Sequence, residues 1–219
     1  MACSEVYIGG TQNISARNFD FMVGDGIALL TPRGQTHESG YASKGEDKLS
    51  WVSRYGSLSF WVKLPGCKEN AEGGYVLAGL DGMNEKGFKV GTYFLETSEF
   101  AEGSKGTTLA ITSLMQYLLD NFETVDKALK DLQHPDYRVI PVPTGAVPVK
   151  LHFYLHDFKG DSAIVEFIDS KVVLHKNPEV TVLTNTAYKG LPKGKLVCPQ
   201  RVGIVSQVKR WSADSSIPF

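Results

Sequence analysis

The hydrophobic spacing changes once along the chain, and that change limits the folds open to it. From residue 4 to residue 95 apolar side chains recur at alternate positions between Gly- and Pro-containing turns, the period of half-buried strands. From Thr107 the spacing lengthens. Leu109, Ile111, Leu114, Met115, Leu118, Leu119 and Phe122 fall close to i, i+3, i+4, i+7, which predicts an amphipathic helix of about four turns. Thr124 is then placed to cap a second helix over residues 125–132, stopped before His134-Pro135. Pro141, Pro143 and Pro148 mark an irregular link, and alternation returns in four short segments, 151–157, 162–168, 171–175 and 180–184. Strands, two helices, then strands make an α+β pattern rather than the regular alternation of a doubly wound parallel sheet.

Within the first half, residues 4–10 and 15–21 read as a hairpin turning at Gly9-Gly10, with residues 27–30 as a third strand. The polar, Gly-rich stretch 33–48 reads as loop, and 51–62 as two strands or a hairpin around Gly56. Residues 75–80 and 88–95 read as a hairpin joined by the polar turn Asp81-Gly82-Met83-Asn84-Glu85-Lys86-Gly87. Lys159-Gly160-Asp161 joins two later strands in the same way. The chain shows no internal repeat and no boundary, so its 219 residues are taken as a single domain.

Composition narrows the function. Twenty-three Lys and Arg balance 24 Asp and Glu, so the basic excess of a nucleic-acid binder is missing. No apolar run reaches membrane-spanning length, and the start lacks the charged-then-apolar pattern of a leader. As it stands the chain reads as cytoplasmic; if Met1 replaces a removed leader, it reads as periplasmic or secreted. Three cysteines, Cys3, Cys67 and Cys198, are too few and too scattered for a disulfide framework. Five histidines offer no metal-ligand spacing. The i, i+4 pair His152/His156 lies on a predicted strand, where its members stand about 13 Å apart, too far to chelate together. Neither a metal nor another cofactor is expected, and assembly into a homo-oligomer is left open.

Cys3 carries chemistry by position. Removal of Met1 and Ala2 would place a thiol and a free α-amine on one residue. An α-amine with a pKa near 8 is partly neutral at physiological pH and can take the thiol proton, giving the nucleophilic thiolate. Ala16-Arg17-Asn18-Phe19-Asp20 follows. Strand alternation puts Asn18 and Asp20 on one face and Arg17 on the other. A turn or bulge would gather Arg17 and Asp20 round one pocket; without it they read as a surface ion pair.

Cys3-Ser4, the Arg17-Asn18-Phe19-Asp20 run and the Asp81 to Gly87 turn, taken with Leu151-His152-Phe153, Ser162-Ala163-Ile164-Val165-Glu166 and Val182-Leu183-Thr184-Asn185, resemble the choloylglycine hydrolase family in family order. That family of linear-amide C–N hydrolases includes bile salt hydrolases and penicillin V acylases. The resemblance implies an N-terminal nucleophile hydrolase with a four-layer αββα fold, acting on a small-molecule acyl amide. It implies Cys3 as nucleophile, Arg17 as support for the thiolate and Asp20 as partner of the α-amine. Asn185 would contribute to an oxyanion hole, where each donor is worth on the order of 10²–10³ in rate. Asn84 and Tyr93 would bind substrate. Position 93 is tyrosine, as in members resembling penicillin V acylases, where bile-salt-type members carry asparagine. An aromatic wall suits an aryl or acyl group.

Beyond residue 187 the resemblance weakens. Leu191-Pro192-Lys193-Gly194 arrives early, and Arg201, in Cys198-Pro199-Gln200-Arg201, stands where a downstream family arginine would fall after a large deletion. On this reading the C-terminal part of the domain is short. The leading expectation is a penicillin V acylase-like amidase. Its alternatives are a conjugated bile salt hydrolase or N-acyl homoserine lactone acylase, and a truncated, inactive homologue acting as a binding module.

Overall fold

The computed structural model describes residues 2–8, 13–20, 26–64, 76–103, 105–143 and 149–188. Its elements run β1 (Ala2–Ile8), β2 (Ile14–Asp20), β3 (Gly26–Thr31), β4 (Thr36–Glu38), β5 (Asp47–Lys48), β6 (Ser50–Val52), β7 (Ser57–Leu64), β8 (Val76–Asn84), β9 (Lys89–Phe94) and β10 (Thr107–Ala110). There follow α1 (Leu114–Asn121), α2 (Val125–Gln133), β11 (Arg138–Ile140), β12 (Leu151–His156), β13 (Ser162–Ile168), β14 (Lys171–Lys176) and β15 (Val182–Thr184). All fall within one unit, Met1–Ala187.

Seven strands form an antiparallel sheet in the order β14-β13-β12-β9-β8-β7-β3. Its central strands are buried on both faces, and the two faces differ in kind. Val90, Phe153, Leu155, Ala163, Val165 and Phe167 join the apolar core with α1 and α2. The alternate positions, among them Lys89, Tyr93, His152, Tyr154, His156 and Glu166, are buried too. They carry polar groups toward a second sheet, β15-β1-β2. The described residues therefore build consecutive helix, sheet and sheet layers, with a titratable layer between the sheets.

The expected β1/β2 hairpin forms, with Cys3 opposite Phe19 and Glu5 opposite Arg17. Its proposed turn at Gly9-Gly10 lies outside the described residues. The β8/β9 and β12/β13 hairpins also form. Thr124 caps α2, its side chain accepting from Lys127 N–H.

Of the two readings of residues 51–62, two separate strands are observed rather than a hairpin: β6 pairs with β4, and β7 lies between β3 and β8. Three expectations are corrected. The polar stretch 33–48 contains two short strands rather than loop alone, because β4 pairs with β6 and β5 with β10. The helix begins at Leu114, not near Thr107. Thr107–Ala110 is held extended by parallel pairing with β11 and β5, and tertiary pairing overrides a periodicity that burial on all sides leaves ambiguous. Finally, Asp81 to Asn84 continue β8, so the turn is only Glu85-Lys86-Gly87, with Gly87 at φ 73°.

A bulge in β8 sets which side chains reach the site. Phe60 pairs with Asp81 and Trp61 with Gly79, leaving Leu80 as the extra residue. Gly79 and Gly82 thus both face α1. A Cβ at Gly82 would lie 2.6 Å from Leu119 Cδ1, so the helix packs against bare backbone. Asp81 is turned the other way, into the layer between the sheets.

Candidate active site

Cys3 lies on the inner face of β1 with Glu5 and Tyr7, and all three are buried. Its backbone N–H donates to Asn185 Oδ1 at 2.6 Å, and Asn185 Nδ2 donates to Phe94 O at 2.7 Å. Asn185 follows the last residue of β15, where Ser4 pairs with Thr184. Its amide therefore extends the ladder by one place and ties β1 to the end of β9. Both ends of the amide meet partners of fixed role, a donor and an acceptor, so its orientation is set by chemistry.

Arg17 occupies the same inner face. Its Nη1 donates to Leu80 O, the carbonyl at the bulge, and its Nη2 to Thr92 O at 3.1 Å. The guanidinium lies 4.3 Å from the centre of the Tyr93 ring. Asp20 is on the opposite, exposed face of β2, as the register partner of Ala2. No bulge in β2 gathers Arg17 and Asp20 into one pocket, because their pairing with β1 is unbroken from Ala2 to Ile8.

Tyr93 is placed in the core rather than on a pocket wall. It is 1% exposed, its hydroxyl donates to Glu5, and His152 meets its ring edge to face at 6.1 Å. Asn84 is on the helix side of the sheet. Its Nδ2 donates to Leu119 O and Phe122 O, and its Oδ1 accepts from Lys86 and Phe88 N–H. All its hydrogen-bonding capacity is used to join the β8–β9 turn to the end of α1. Arg201, Cys67 and Cys198 lie outside the described residues.

Sequence reading missed the groups that fill the layer beneath Cys3. Glu5 accepts from Ser15 Oγ, from Tyr93 Oη and from Lys89 Nζ at 2.8 Å, and His156 Nε2 approaches it at 3.1 Å. Lys89 also meets Asp81 at 3.1 Å. Burial alone would raise the Glu5 carboxyl, but His156 and Lys89 outweigh it and hold the group at about 2. Burial pushes Asp81 up and neutral His156 down. Gly91 leaves room for this cluster, since a Cβ there would lie 2.8 Å from Glu5 Oε2. The signal available was a charged residue on a buried face: Glu5 between Cys3 and Tyr7, and Lys89 in register with Gly91 and Tyr93. Among the described residues no cluster of three or more His, Cys, Asp and Glu side chains is arranged to hold a metal ion.

The model of the linear amide C–N hydrolases, choloylglycine hydrolase family, matches residues 3–189. A penicillin V acylase from Pectobacterium atrosepticum is 33% identical over 178 residues, covering 79% of this chain and 45% of the relative. A bile salt hydrolase/transferase from Clostridium perfringens is 29% identical over 111 residues, 48% of this chain and 33% of that protein. The structure of penicillin V acylase from Agrobacterium tumefaciens superposes with a TM-score of 0.68 at 33% identity, over 85% of this chain and 53% of that one. Conjugated bile acid hydrolase from Clostridium perfringens shares the fold at a TM-score of 0.63 and 18% identity, over 85% of this chain and 54% of that one. The chain spans about half the length of these structures. Its fold is that of the N-terminal nucleophile hydrolases, and the chain belongs to the choloylglycine hydrolase family of linear amide C–N hydrolases.

Proposed function

We propose that the chain hydrolyses a linear acyl amide through Cys3, exposed as the N-terminal residue once Met1 and Ala2 are removed. The observation that carries this reading is the clamp on Cys3, whose backbone nitrogen is fixed by an asparagine itself anchored to the end of β9. Removing Ala2 turns that nitrogen into an α-amine beside its own thiol. Asp20 is the register partner of Ala2, and its role as partner of the α-amine rests on the family resemblance.

The α-amine takes the thiol proton, and the thiolate attacks the substrate carbonyl, forming a C–S bond and an oxyanion. Asn185 Nδ2 carries two hydrogens; one meets Phe94 O, and the second serves the oxyanion. Collapse breaks the C–N bond as the ammonium returns its proton to the leaving amine. Water, deprotonated by the same amine, then cleaves the thioester, releases the acid and restores the thiol. Arg17, an inner-face neighbour, favours the thiolate. The preferred substrate is a penicillin V-type aryloxyacyl amide, supported by the likeness to two penicillin V acylases.

The test pairs an intact-mass measurement with amine release from penicillin V and from glycocholate, for wild type and Cys3→Ala. Wild type should begin at Cys3 and release amine faster from penicillin V, and Cys3→Ala should release none. Activity retained by Cys3→Ala would overturn the nucleophile, and faster glycocholate cleavage would overturn the substrate.

A further inference from the structure

Asp81 lies between two cations at unequal distances. Its Oδ1 is 3.1 Å from Lys89 Nζ, and its Oδ2 is 3.9 Å from Arg17 Nη1. The first is a direct ion pair; the second is beyond hydrogen-bond length. Arg17 instead directs its donors at two neutral carbonyls, Leu80 O and Thr92 O, and its face at the Tyr93 ring. These contacts engage its two Nη groups without cancelling its charge, and its buried Nε has no hydrogen-bond partner among the described residues. Lys89, by contrast, is shared by two carboxylates, Glu5 and Asp81. Among the described residues, Arg17 is therefore the cation of this layer that has no carboxylate within hydrogen-bond length. Cys3 opposite Phe19 and Glu5 opposite Arg17 make Cys3 and Arg17 diagonal neighbours on one face, a spacing of about 7–8 Å.

We propose that Lys89 is a positioning residue for the nucleophile: by holding Asp81 it keeps that carboxylate off Arg17, leaving the Arg17 charge to favour the Cys3 thiolate. The proposal rests on Cys3 acting as the nucleophile. It assigns a task to three residues, Lys89, Asp81 and Glu5, that have no place in the chemical steps. Glu5 enters as the second anchor of Lys89, which fixes the ammonium where it can reach Asp81. Without Lys89, Asp81 would be a half-buried carboxylate with Arg17 as its nearest cation, and such a group closes on the partner it has.

The measurement is the alkylation of Cys3 by iodoacetamide in the full chain at pH 7, relative to its rate at high pH. Peptide mass spectrometry separates Cys3 from Cys67 and Cys198. The informative variant is Glu5→Gln/Lys89→Met, which removes the cation together with the carboxylate it would leave unpaired and keeps net charge constant. Its relative reactivity at pH 7 should fall about tenfold. Adding Asp81→Asn to that variant should restore it. A bystander role gives little change, because the lost Glu5 anion and the lost Lys89 cation are a close pair whose direct effects on the thiolate offset each other. Unchanged or increased reactivity in the double variant, or no recovery in the triple, overturns the proposal. Should the double variant fail to fold, Asp81→Asn alone tests the same competition. It should leave reactivity at or above wild type, and a fall overturns the proposal. Alkylation requires no amide turnover, so an error about the substrate and an error about Lys89 give different results.

Discussion

Asn185 accepts the backbone N–H of Cys3 across 182 positions of sequence, at 2.6 Å. The contact joins the first strand to the last described one and fixes Cys3 to the rim of the larger sheet through Phe94. The start of β1 is thereby held with the Cys3 side chain buried.

Asn185→Leu tests this clamp. It leaves Cys3 N–H and Phe94 O without partners, each costing about 1–3 kcal/mol where buried. Amide hydrolysis should fall on the order of 10²–10³ through loss of the oxyanion donor. Urea denaturation should report a smaller loss, with the fold retained. Turnover within tenfold of wild type would show that Asn185 has no part in the chemistry.

Acid should unfold the protein earlier than an unperturbed carboxylate would allow. Glu5 is held at about 2 in the fold against an ordinary value of 4.5. A lowered folded-state value means the stabilisation is complete above about 4.5 and is lost as pH falls toward 2. At full extent it is worth about 3 kcal/mol. Neutral His156, pushed down by burial, adds to the same trend, because acid favours its charged, unfolded form. Denaturation midpoints measured from pH 6 to pH 2 should show this slope in wild type and a shallower one in Glu5→Gln. Equal slopes would remove Glu5 from the acid response.

Asn84→Ala should act on stability alone. Four backbone groups lose their partner at once, and the cost should be about 2–4 kcal/mol given that the site is buried. KM measured on the folded fraction should match wild type, since the side chain faces the helices rather than the layer beneath Cys3. A raised KM with unchanged stability would return Asn84 to the substrate.

Much of this was legible in the sequence, and the limits have physical causes. Turn signals between extended runs, Gly9-Gly10, Glu85-Lys86-Gly87 and Lys159-Gly160-Asp161, marked the β1/β2, β8/β9 and β12/β13 hairpins, although β9, β12 and β13 are buried on both faces. Thr107–Ala110 has its partners, β5 and β11, far away in sequence, so no local turn marked it as a strand. Cys3 and Asn185 were found through motifs in family order, and their contact could not have been, because it depends on β15 pairing with β1. Glu5, Asp81 and Lys89 were passed over as ordinary polar residues. The Leu80 bulge is what turns Asp81 inward, and a one-residue offset of that kind leaves no trace in composition or spacing.

Tyr93 provides the final prediction, and the structure changes its terms. The aromatic side chain at this position was expected to narrow an acyl pocket and so favour aryl substrates. Instead its ring is covered by Arg17 on one face and met by His152 at the edge, and its hydroxyl is committed to Glu5. A side chain 1% exposed influences substrate only through what it holds in place. Tyr93→Phe keeps the ring and removes the hydroxyl, leaving Glu5 Oε2 without its donor. The cost should be about 1–3 kcal/mol of stability. Loss of one oriented support for Glu5, and through it Lys89, should lower kcat for penicillin V and glycocholate by the same factor. The ratio of kcat/KM between the two substrates should stay within about twofold of wild type, well short of the tenfold that 1.4 kcal/mol of pocket discrimination would give. Tyr93→Asn should lower stability further by emptying a packed site. A change in the substrate ratio larger than the common loss in rate, in the Phe variant, would place the phenol in the substrate pocket after all.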